Sequence, residues 1–180
     1  MKRSFVALIA LLGIALIILT PCVSLAGFDL FIRVEGVNGE STDERHNDWI
    51  DGISYSSNIV SDGGRVCFND ISIAKYYDKS SPTLSLYAAM ATRIDNVQIE
   101  FCRDGGDKQR FLEILIDGAA ITSVSSGGSA VGTEGSPQES VTFSFNNIRW
   151  TYTLFNPDGT QAGNVETRVD NVIRCDGSVH

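Results

Sequence analysis

From residue 28 onward, apolar and polar side chains alternate with period two. Phe28, Leu30, Ile32 and Val34 fall on one side, and Asp29, Phe31, Arg33 and Glu35 on the other, the pattern of a half-buried strand. Gly36 and Gly39 end it. A polar linker then leads to Trp49 and Ile50, and alternation resumes with Ile53 and Tyr55. Alternating segments recur over 53–59, 65–77, 96–102, 111–117, 119–126, 141–154 and, more weakly, 165–173. Many short strands separated by glycine-rich turns predict a sandwich or barrel. Two of these segments change parity internally. Val66 and Phe68 give way to Ile71 and Ile73, while Val141, Phe143 and Phe145 give way to Ile148, Trp150, Tyr152 and Leu154. One extra residue does this, so bulges are expected near Asp70 and Asn147, adding the bend and twist that close a barrel.

A single helix is predicted. Ser81 is its expected N-cap, Pro82 stands at the first helical position, and Leu84, Tyr87, Ala88 and Ala91 form its apolar side. Such a helix covers one edge or face of a β core. The expected fold is therefore mainly β, with two packed antiparallel sheets forming a β-barrel or sandwich and one short flanking α-helix. The Gly- and Ser-rich stretch 125–136 reads as a loop between two strands.

The ends of the chain change the picture. Lys2 and Arg3 precede an uncharged apolar stretch over 5–19, followed by Pro21 and Ser24-Leu25-Ala26, the layout of a secretory signal peptide. As a helix the stretch would reach about 22 Å, short of a ~30 Å hydrocarbon core. We therefore expect a cleaved segment 1–26 and one extracytoplasmic domain over 27–180, periplasmic or secreted. Without Lys2 and Arg3 the chain keeps 12 basic against 22 acidic residues, a net charge of −10. An acidic surface repels phosphate backbones, which argues against nucleic acid or anionic membrane as a partner.

Candidate chemistry is sparse. There is no Gly-x-Ser-x-Gly elbow, and His46 is the one histidine inside the chain, so it reads as ordering a turn among Asp43, Glu44 and Asp48. Those acids and Asp51 lack the spacing of a calcium loop. Asp104-Gly-Gly-Asp107-Lys108 reads as a turn whose glycines permit positive φ. Cys67, Cys102 and Cys175 lack Cys-x-x-Cys spacing, which disfavours a metal. One disulfide among them is possible, with three pairings open. Cys67 and Cys102 sit on the polar parity of their strands, so neither reads as a core filler. No enzyme, cofactor or metal is expected.

Five pieces stand in register along the chain: Gly39-Glu-Ser41, His46-x-x-x-Ile50, Lys75-Tyr-x-Asp-Lys-x-x-Pro82, Gly105-Gly-Asp-Lys108 and Trp150-Thr-Tyr152. Together they resemble the haemolysin-coregulated protein (Hcp) family of type VI secretion over about 27–159. The resemblance implies a β core covered by a single helix, and subunits that form hexameric rings stacked head to tail into a hollow tube. Such a tube carries effectors in its lumen and is expelled by a contracting sheath. It further implies a non-enzymatic structural or effector role, with copies of itself, secretion-machine components and cargo as partners. Ser54, Tyr55 and Ser56 would face the lumen. Glu40, Asp43, His46 and Asp48 of the linker, with segment 57–64, would lie near ring edges. The rival reading is an exported Hcp-like sandwich that binds carbohydrate or protein, with Trp49, Tyr76, Tyr77, Trp150 and Tyr152 as a stacking platform.

Overall fold

The computed structural model describes residues 27–104, 108–129 and 136–175. The expected signal peptide, the glycines of the 104–108 turn and most of the Gly/Ser-rich loop lie outside these residues. The described elements are β1 (Phe28–Val34), β2 (Ile50–Ser56), β3 (Ile59–Asp62), β4 (Arg65–Phe68), β5 (Ile71–Tyr76), α1 (Ser81–Ala89), β6 (Arg93–Arg103), β7 (Arg110–Gly127), β8 (Gln138–Ser144), β9 (Asn147–Phe155) and β10 (Gln161–Val169).

Six strands close on themselves in the order β7-β6-β1-β2-β5-β8, and β8 returns to β7. All these pairings are antiparallel. Closure removes free edges from the barrel. The interior is filled by Ile32, Val34, Ile50, Ile71, Ile73, Val97, Ile99, Ile114, Ile116, Val141 and Phe143. Burying side chains of this size stabilises by roughly 1.5–3 kcal/mol each before chain entropy is counted.

β7 explains how the outer strands attach. Its first half pairs with β9 and its second half with β8, and the two meet at Gly118, whose φ is 61°. A Cβ there would come within 2.8 Å of Asn146 Nδ2. Beyond β9, β10 extends the sheet outward.

Several expectations need correction. Segments 111–117 and 119–126 are one strand, because Gly118 bends the chain without releasing it from β6. That strand runs through Gly127, so the predicted loop begins later than expected. The parity changes at Asp70 and Asn147 are strand breaks. There the chain leaves the small β3–β4 sheet for β5, and β8 for β9. The register shifts instead lie at Gly52/Ser54, Phe101/Cys102, Ile121/Ser123 and Gln161/Gly163.

The helix is found where Pro82 predicts it, but Ser80 is its N-cap and makes no side-chain cap bond. Ser81 is drawn away by a stronger partner, donating its hydroxyl to Glu139 Oε1 at 2.6 Å. Lys75, fully buried, lies at the centre of this cluster. Its ammonium donates to Glu139 Oε1 and Asp78 Oδ1, each at 2.7 Å, and to Ser81 Oγ at 3.1 Å. Much of the Lys75-to-Pro82 motif is therefore a buried charge network that seats α1 against β5 and β8. Among the described residues, no helix is long and apolar enough to cross a membrane.

Candidate assembly surface and its buried fastenings

The linker after β1 folds back over the barrel's outer face. Gly39 N–H donates to Asp48 O at 2.7 Å, Ser41 N–H to Trp49 O at 2.9 Å, and Asp48 N–H to Ser41 O at 3.0 Å. Gly39 is required by this close approach, since a Cβ would lie 2.2 Å from the Trp49 carbonyl oxygen. The linker covers outward side chains of β1 and β6, among them Phe31 and its partner Glu100.

His46 is the pin. It is only 3% exposed, and its ring stacks on Phe31 at 3.9 Å with Trp49 edge-on at 5.0 Å. Nδ1 meets Asp43 Oδ1 at 2.7 Å and Nε2 meets Glu100 Oε2 at 2.9 Å. A neutral imidazole carries one N–H, so holding both carboxylates takes a second proton on the ring or on one of the acids. Burial works against the Asp43 carboxylate. Hydrogen bonds from His46, the Arg45 backbone N–H and Lys108 more than offset it and bring its pKa down to about 2.

Around the pin the charges are matched. Glu100 Oε1 accepts from Arg110 at 2.6 Å and from Gln98 at 2.7 Å, and Arg110 also pairs with Glu113. Lys108 lies 3.3 Å from both Asp29 and Asp43. Beside this network runs a cleft of about 420 Å³, lined in part by Arg45, His46, Trp49, Glu100 and Arg110.

Cys102 requires a correction. It does lie on the outward parity of β6, as its sequence neighbours imply, yet it is fully buried because the linker covers it. Burial and then the charge of Glu100 push its thiol up to about 11. His46, Glu100 and Cys102 place ligand-type atoms within 4.8 Å of one another. The contacts of His46 and Glu100 are already met by Asp43, Arg110, Gln98 and each other, so the cluster works as a buried polar network.

The other expected positions separate. Glu40 and Asp48 reach the turn before α1: Glu40 Oε1 accepts from the Lys79 backbone N–H at 3.0 Å, and Asp48 Oδ1 from Lys79 Nζ at 2.8 Å. Asp48 has φ 62°. Ser54 and Ser56 are exposed on β2. Tyr55 turns the other way, pairing in register with Ile73 and meeting Phe101 edge-on at 5.3 Å, and burial raises its phenol pKa.

Cys67 and Cys175 form a disulfide with Cα atoms 4.8 Å apart. The aromatic residues do not gather into one stacking platform: Trp49 packs on His46, Trp150 on Phe68 and Tyr152 on Phe111. Glu100, Arg110 and Lys75 are the participants that sequence reasoning missed. Lys75 and Lys108 did fall within the quoted motifs.

A closed six-stranded barrel with one seated helix and a pinned linker matches known proteins. The family model described as "Type VI secretion system effector, Hcp" matches residues 31–152. The chain belongs to the Hcp family. It is 31% identical over 146 residues to protein hcp1 of Pseudomonas aeruginosa, covering 75% of this chain and 89% of that one. Among solved structures, a type VI secretion system effector from Yersinia pestis is 27% identical with a TM-score of 0.68, covering 79% of this chain and 99% of that one. Hcp1 from Salmonella typhimurium is 26% identical with a TM-score of 0.70, covering 81% and 95%. The Hcp match spans β1 to most of β9, so it includes the pinned linker, the small sheet and α1.

Proposed function

We infer that this chain is a non-enzymatic Hcp subunit that assembles with copies of itself into hexameric rings and acts as tube component or effector of type VI secretion. One observation carries this reading: the family match takes in all six barrel strands apart from the first three residues of β1. Surface chemistry supports it. Large apolar side chains stay exposed on distinct parts of the shell, with Ile59 and Val66 on the small sheet, Leu86 on α1 and Met90 just after it, and Tyr152, Leu154 and Val165 on β9 and β10. Separate apolar patches suit a heterologous contact that closes a ring and repeats along its axis. In this reading Ser54 and Ser56 face the lumen, while Tyr55, expected there too, packs inward against Phe101 and supports the strand from behind, and Glu40, Asp43, His46 and Asp48 shape a ring-edge linker. The chain is exported after cleavage of segment 1–26, and neither nucleic acid nor membrane is its partner. Negative-stain imaging of residues 27–180 tests the proposal. Rings with an open centre are expected, and solid isolated particles would overturn it.

A further inference from the structure

The β3–β4 hairpin forms a sheet of its own. Two strands alone are marginal in water, so its attachment to the barrel matters. Phe68 supplies part of it, packing near Phe145 and Trp150. The chain's tail supplies the rest by acting as a third strand. Phe68 bridges Arg174 in parallel, Phe68 N–H donates to Ile173 O at 2.8 Å, and Cys175 N–H donates to Phe68 O at 3.1 Å. Arg174 pairs with Asp70 at 2.6 Å. Val172 is buried, and its N–H reaches Asn146 O at 2.9 Å. The Cys67–Cys175 bond closes this strip covalently across a sequence separation of 108.

The three cysteines divide by environment. Cys175 is exposed and Cys67 partly so, so the pair lies at the surface of the protein. Cys102 lies under the linker with its thiol pushed up, so little of it is thiolate and it does not compete for partners.

We propose that Cys67–Cys175 is a redox clasp: it fastens the β3–β4 hairpin to the barrel only once the chain has reached an oxidising compartment, fixing there a contact surface for a second copy. The contact-surface clause rests on the assembly reading above and the compartment on the export reading; the bond and the attachment it closes rest on neither. The oxidant is a thiol–disulfide oxidoreductase in its disulfide form. The Cys175 thiolate attacks one donor sulfur, and the other donor sulfur leaves as a thiolate. The Cys67 thiolate then attacks the Cys175 sulfur of the mixed disulfide and releases the second donor sulfur. The two protons lost from the protein thiols end on the donor, so one dithiol and one disulfide exchange states. In a reducing compartment the reverse exchange keeps the clasp open. Ile59, Val60 and Val66, with Ile173 of the tail, are the exposed apolar groups that the closed clasp holds in one arrangement.

Residue-resolved hydrogen exchange on the mature protein tests this, comparing the oxidised form with one reduced under native conditions by a phosphine. The Phe68, Asn69 and Cys175 amides are expected to exchange at least about tenfold faster after reduction, with Ile32 and Ile99 unchanged. Cys175→Ser should behave as the reduced protein does, and reoxidation should restore protection. Equal hairpin rates in both states, or a mapped bond to Cys102, would overturn the clasp. Sedimentation of both forms is read separately. A lower assembled fraction on reduction supports the contact-surface clause, and unchanged assembly despite faster hairpin exchange removes that clause while leaving the clasp standing.

Discussion

Two irregular segments are tied to the same barrel by different chemistry. The linker over 39–49 is held by a buried imidazole between two carboxylates, stacked on Phe31. The tail over 171–175 is held by backbone bonds to Phe68 and Asn146 and by a disulfide. The first fastening is indifferent to redox conditions and depends on charge; the second depends on oxidation, with one ion pair, Arg174 to Asp70, beside the disulfide. The closed shell thus carries two attachments whose main failure conditions differ.

A third fastening sharpens the contrast and carries the largest expected effect. Lys75→Met removes the cation between Glu139 and Asp78, leaving Glu139 buried with only the Ser81 hydroxyl and no counter-charge. We expect destabilisation by about 3–5 kcal/mol, read by denaturant unfolding. Neither redox state nor the tail should alter that figure.

Cys175→Ser should come next, at about 2–4 kcal/mol in oxidising buffer. Its difference from wild type should vanish when both are reduced, and a difference that survives reduction would mean the side chain matters apart from the bond. His46→Ala should cost about 2 kcal/mol, since Glu100 keeps Arg110 and Gln98 while Asp43 loses its ring contact. That loss should be the same in oxidised and reduced protein, the opposite of the cysteine variant.

Acid gives the smallest separation. The Asp43 carboxyl is depressed from 3.8 to about 2 in the folded chain, so it binds a proton less readily folded than unfolded. Its stabilisation is fully present above about pH 4 and is lost as pH falls through about 2. Hydrogen exchange across that window should show the linker loosening before the tail.

Much of the shell is legible as alternation, because the inward residues of β1, β5 and β8 share one environment. Where the chain leaves one sheet for another, at Asn69 and Asp70, the same parity change could mean a bulge or a break; only the pairing partners decide. The local half of the His46 site was readable too, since Asp43 lies three residues away. Glu100 lies 54 residues on and reaches the ring through the β1–β6 register. Burial of Cys102 likewise depends on the linker's path, which Gly39 permits but does not announce. The Cys67–Cys175 pairing follows from where the tail docks, and no spacing along the chain encodes that.

Sedimentation velocity on oxidised residues 27–180 over a wide concentration range tests the central claim most directly, that this Hcp shell works by contact with copies of itself. The account predicts one dominant species with the mass of six chains. A strictly monomeric protein at high concentration would contradict it.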